Sequence, residues 1–127
     1  MKELLEAEKA IERLFQVIED EELFDTTQPS RLSGVMARLS YFNHIIGRYI
    51  ARLQGAYRSK RAEIYNQEMS KDGKKVVTHA KQKAEEGALE LEQEYDHYKQ
   101  LHEDTQTFIN VCQTHLRILG LEAQSKL

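Results

Sequence analysis

From Ala84 to Ala123 the residues Ala84, Ala88, Leu91, Tyr95, Tyr98, His102, Thr105, Ile109, Cys112, Leu116, Leu119 and Ala123 follow one another at steps that alternate between four and three. That spacing keeps one stripe on one side of an α-helix, and a stripe so long must be covered by another helix. No proline interrupts it, and Gly87 and Gly120 are its glycines. The stretch predicts one long helix over residues 78–122 and, with it, an all-α fold.

The rest of the chain supplies what covers the stripe. In residues 1–20 the positions Leu4, Ala7, Ile11, Leu14 and Ile18 share one helical face, widened by Phe15. Pro29 disfavours a helical Gln28, so this first helix ends before the Thr26–Pro29 segment, with Leu23 and Phe24 tucked under its end. Ser30 reads as the N-cap of a second helix over 30–69, with the stripe Leu32, Val35, Leu39, Phe42, Ile46, Tyr49, Leu53 and Ala56. Gly34, Gly47 and Gly55 cost it helix propensity of roughly 1 kcal/mol each and mark places of close helix approach. The turn around Gly73 makes the two long helices antiparallel neighbours whose opposed residue numbers sum to about 147. The expectation is a single domain of 127 residues: a long, coiled-coil-like antiparallel helical hairpin, with the shorter first helix completing a three-helix bundle at one end. Residues 49–98 are left as a two-helix stalk.

Charge is distributed unevenly. The net value of −3 conceals −6 over residues 1–30, +2 over 31–47, +7 over 48–83 and −6 over 84–127. A basic middle thus lies between acidic ends, and it falls on the stalk. The single cysteine, Cys112, forms no internal disulfide and fits a reducing compartment. The acidic start offers no signal-peptide core, and no apolar run approaches the roughly 18 residues of a membrane span. A cytoplasmic protein without a membrane segment is the expectation.

Constellations that carry chemistry are thin. Glu94 and His97 have the Glu-x-x-His spacing of di-iron bundles, but such a site needs a second copy and two further inward glutamates, and neither is present. Cys112 and His115 offer two ligands without a second pair. On the seam, Cys112 reads as a small apolar filler, and helix stripes offer no oxyanion hole. No glycine-rich loop is placed to cradle a phosphate. His102 and Thr105, opposite Phe42, Asn43 and His44, read either as a pH-sensitive buried site or as a polar layer that fixes helix register, and the second reading needs no further groups. No enzyme, cofactor, metal site or small-molecule substrate is expected.

The basic segment therefore carries the functional expectation. Arg48, Arg52, Arg58, Lys60, Arg61, Lys71, Lys74, Lys75, Lys81 and Lys83 cluster on the stalk and its tip, with Tyr57 and Tyr65 among them. The stalk's apolar face, including Tyr49, Leu53, Tyr57, Ile64, Leu91 and Tyr95, exceeds what one partner helix covers. That points to a homodimer or a bound protein partner. The leading reading is a non-catalytic adaptor or inhibitor that meets an acidic protein surface. The alternative is a nucleic-acid-binding accessory factor of recombination or replication, with the same cations on phosphate and the tyrosines on bases. A sequence pI near 6.0 weighs against that alternative, since dedicated nucleic-acid binders are usually basic overall.

The layout from Ser30 to Ser125 resembles small helical accessory proteins encoded by bacteriophages. The resemblance rests on the Leu/Tyr-rich helix from Leu32 to Tyr65, the Lys71-Asp72-Gly73-Lys74 turn and the charged helix ending in Leu116-Arg117-Ile118-Leu119-Gly120-Leu121-Glu122. It implies a small protein in the host cytoplasm that binds host or phage machinery, such as recombination factors or a defence complex. It assigns no functional residue.

Overall fold

The structure, a computed structural model, describes residues 2–24, 29–71 and 77–125, the last five as backbone. Every described element is an α-helix: α1 (Lys2–Asp20), α2 (Pro29–Ser70), α3 (Val77–Gly87) and α4 (Leu89–Ser125). The chain divides into two compact units, where the sequence suggests one domain. The first is Met1–Gly47 with Leu101–Leu127, and the second is Arg48–Gln100. Both α2 and α4 contribute to each. The Thr26 loop and the Gly73 turn, with Lys74 and Lys75, lie outside the described residues.

In the first unit α1 buries the face its spacing predicts: Leu4, Ala7, Ile11, Leu14 and Ile18 are all at most 6% exposed. From α2 come Leu32, Val35, Leu39, Ile45 and Ile46, and from α4 Thr105, Ile109 and Cys112. Arg31 reaches back to Glu21 at 2.8 Å. Phe108 on α4 meets the edge or face of Phe15 at 5.0 Å and of Phe24 at 5.7 Å, both nearly perpendicular. Asn43 Nδ2 donates to the His102 carbonyl at 3.2 Å, which ties α2 to α4 at the expected polar layer. A Cβ on Gly47 would come within 3.0 Å of His102 Nε2, so the missing side chain is what lets the imidazole lie against α2. Gly34 and Gly55 show no such approach: a Cβ there meets nothing within 4 Å.

α1 ends at Asp20, as the spacing over residues 1–20 predicts, but what stops it is not Pro29. The helix is stopped by its own backbone at Glu22, whose φ is 47°. Leu23 N–H donates to the Ile18 carbonyl at 3.1 Å and Glu22 N–H to the Glu19 carbonyl at 3.2 Å. This is the Schellman arrangement, with a glutamate in the left-handed position usually held by glycine. Leu23, 3% exposed, anchors it beside Ile18. At the start of α2, Pro29 is itself the first helical residue, so Ser30 lies inside the first turn and is not the N-cap. Proline suits that position because its missing N–H would have no helical acceptor.

In the second unit the helix expected over 78–122 is two helices, interrupted at Ala88. The interruption is slight. Ala88 N–H still donates to the Ala84 carbonyl at 3.1 Å, and Glu92 N–H to the Ala88 carbonyl at 3.0 Å. Ala80, Ala84 and Ala88 are fully or almost fully buried, so small side chains bring α3 close to α2. The approach is tightest where a Cβ on Gly87 would overlap Ile64 Cδ1. Tyr65 and Asn66 share a groove with Lys81 and Ala84, while Tyr57 shares one with Leu89 and Glu92. Residue numbers thus fall on one side as they rise on the other, and the hairpin is antiparallel. Ala56, placed on the buried stripe by its spacing, is exposed. After Leu53 the covered row continues through Tyr57 and Ile64 instead, the drift of a straight helix away from a strict seven-residue repeat.

Candidate interaction groove

Arg58, Arg61, Ala62 and Tyr65 recur on α2 at steps of three, one and three, which puts them on one face. Lys81 and Ala84 do the same on α3. Between the two helices these residues and Asn66 line a groove of about 360 Å³. Its alanines leave room at the floor, and three cations, a phenol and a carboxamide surround it. Arg61 is ion-paired with Glu85 at 3.6 Å, with both side chains about half exposed (45% and 61%). Such a pair contributes on the order of 0–1 kcal/mol, so it holds Arg61 only loosely. Arg58 and Lys81 have no ion pair among the described residues.

The remaining basic residues are placed differently. Arg48, Arg52, Lys60, Lys71 and Lys83 are exposed, but none lines the groove. The Arg52 guanidinium lies 5.1 Å from the centre of the Tyr49 ring, Lys71 pairs with Glu68 at 3.2 Å and Lys83 approaches Glu86 at 3.9 Å. Ala62 and Asn66 are the groove residues that the sequence pattern does not single out. Ala62, four residues after Arg58, and Asn66, four after Ala62, continue the same face of α2, which was the available signal.

A second groove of about 520 Å³ lies on the other side of Arg61, lined by Tyr57, Arg61, Glu85, Glu86, Leu89 and Glu92. The basic run by itself does not show this acidic neighbour, but the register does: opposed numbers that sum to about 147 put Glu85 and Glu86 across from Arg61.

The apolar face is less open than its composition suggests. Leu53 is 5% exposed, and Tyr49, Tyr57, Ile64, Leu91 and Tyr95 are half-buried within their unit. The α3 alanines let α2 approach so closely that one partner helix covers more of this face than its composition implies. Among the described residues of this unit, the exposed large apolar side chains are Met69, Val77 and Leu89.

Elsewhere, Cys112 is fully buried, and its burial raises the thiol above its ordinary value of 9.0, partly offset by a backbone hydrogen bond. The His115 ring packs on Phe24 at 5.2 Å. Among the described residues, no three of His, Cys, Asp and Glu gather as a metal site. No described helix is long and apolar enough to cross a membrane. Comparison with protein-family models, with curated proteins and with solved structures finds no match to this chain.

Proposed function

We propose that this chain is a non-catalytic interaction protein, an adaptor or inhibitor, whose second unit receives an acidic segment of a protein partner between α2 and α3. The observation that supports this reading is the groove itself, where Arg58, Arg61 and Lys81 converge with Tyr65 and Asn66 over an alanine floor. Arginines can grip carboxylates with two parallel hydrogen bonds, and the tyrosine and amide add donors that fix register. A second copy is one source of such a segment, because residues 84–127 carry nine acidic side chains against three basic. A phage-encoded protein directed at host or defence machinery is the setting the layout suggests.

The presence of Tyr65 among the cations also favours a second reading, an accessory factor that holds single-stranded nucleic acid. There phosphates would meet the arginines and a base would stack on the phenol. Fluorescence anisotropy with a labelled Asp/Glu-rich peptide and with a labelled oligothymidine, at low and moderate salt, separates the two. The leading reading expects the peptide to bind and the triple variant Arg58→Glu, Arg61→Glu, Lys81→Glu to lose at least about tenfold in affinity. Tight binding of the oligonucleotide, with the peptide inert, would select the second reading. Binding of neither probe at low salt would defeat both. Light scattering of the purified chain reports whether a second copy is the partner.

A further inference from the structure

The first unit holds a crevice of opposite character. At the end of α1, Phe15, Ile18, Glu19, Glu22, Phe24 and Phe108 enclose about 350 Å³. We infer that this crevice binds a cationic side chain, the guanidinium or ammonium of a basic segment on a protein partner. The inference is independent of the groove described above.

Three features lead to it. First, aromatic rings and carboxylates converge on one space. Phe15 and Phe24 both stand nearly perpendicular to Phe108, which fixes the wall, and organic cations are attracted to aromatic faces and to carboxylates alike. The methylene stem of an arginine or lysine can lie on such a wall while its head reaches the acids.

Second, the acids that line the crevice are the ones left without a side-chain partner among the described residues. Within the run Glu19 to Glu22, Glu21 is ion-paired with Arg31 and Asp20 accepts from Gln16. Glu19 and Glu22 have no ion pair among the described residues. The complement they lack is a positive charge.

Third, the crevice is made by the helix stop. Glu22 occupies the left-handed turn position that glycine would hold at lower conformational cost, and from there its side chain joins the lining. Leu23 fixes that turn from below by being buried. The carboxylate is therefore presented from a defined backbone conformation rather than from a mobile loop.

The test uses the full chain and NMR titration with blocked Gly-Arg-Gly, its lysine counterpart and its citrulline counterpart, which keeps the shape of arginine without the charge. The charged peptides should shift the ring protons of Phe15, Phe24 and Phe108 saturably, with Kd on the order of 1 mM for so small a ligand. Citrulline should produce no saturable shift. The double variant Glu19→Gln, Glu22→Gln should weaken binding by about fivefold or more. Glu22→Gly should weaken it as well without lowering the unfolding temperature, which separates loss of the site from loss of the fold. Equal binding of the citrulline peptide, unchanged affinity in the variants, or no saturation by about 10 mM arginine peptide would overturn the inference.

Discussion

The backbone at Gly87 lies so close to the Ile64 side chain that a methyl group on residue 87 would occupy the space of Ile64 Cδ1. One missing Cβ thus sets how near α3 comes to α2 in the second unit.

This relationship predicts a coupling rather than a simple loss. Gly87→Ala gains helix propensity of about 1 kcal/mol, but it forces Ile64 out of its rotamer at a similar cost of roughly 0.5–1.5 kcal/mol. The single change should therefore be near neutral. In an Ile64→Val background, which lacks Cδ1, the same change should stabilise by about 1 kcal/mol. Denaturant unfolding of the four proteins of the cycle measures the difference.

Glu22 predicts a stabilising substitution. A non-glycine residue in the left-handed region costs about 1–2 kcal/mol, of which glycine's greater freedom in the unfolded chain returns about 0.5–1. Glu22→Gly should raise stability by about 0.5–1 kcal/mol, or roughly 2–4 °C in Tm, read by circular dichroism. The hydrogen bonds of the cap to Ile18 and Glu19 are backbone bonds and survive the change.

The polar layer of the first unit predicts two effects of opposite sign. Thr105 is fully buried, and its hydroxyl has no hydrogen-bond partner among the described residues. Thr105→Val keeps the shape and removes that oxygen, so it should stabilise by about 1 kcal/mol. Asn43→Ala removes the bond to the His102 carbonyl and leaves a void, so it should destabilise by about 1–3 kcal/mol. If the layer serves to set helix register, a Thr105→Val, Asn43→Leu protein should be stable yet show broadened amide spectra.

Cys112 predicts a pH effect. Burial raises the thiol above its value in the unfolded chain, so the fold favours the protonated form. A raised acid contributes stability that is present below the unfolded value and lost as pH climbs toward the folded one. Stability should therefore decline as pH rises past about 9, and a Cys112→Ala protein should show a smaller decline over the same range. In the native chain the thiol should resist alkylation at pH 8 and react once denaturant is added, as followed by mass spectrometry.

Much of the fold was legible because helix packing writes itself into spacing. The four-and-three steps located Ala84, Ala88, Tyr98, Thr105, Ile109 and Cys112, all of which are buried. The register was equally readable: Asn43 meets His102 and Arg61 meets Glu85, whose numbers sum to 145 and 146. Three features left no such trace. The stop at Glu22 carries no glycine, so a run of acids gives no sign that the chain turns left-handed there. The interruption at Ala88 preserves the seam and part of the hydrogen-bond ladder, and spacing is blind to it. The groove depends on which side of α2 faces α3, so the tally of ten basic residues could not single out Arg58, Arg61 and Lys81.

Arg61 borders both grooves of the second unit, one lined by cations and one by carboxylates. Any anion that draws its guanidinium away from Glu85 leaves Glu85, Glu86 and Glu92 with one neutralising charge fewer. A cation in the acidic groove then gains affinity, and by reciprocity its arrival frees Arg61 for the anion. By linkage, an anion on Arg61 and a cation in the acidic groove would each favour the other's binding, by no more than the roughly 0–1 kcal/mol that the exposed Arg61–Glu85 pair is worth.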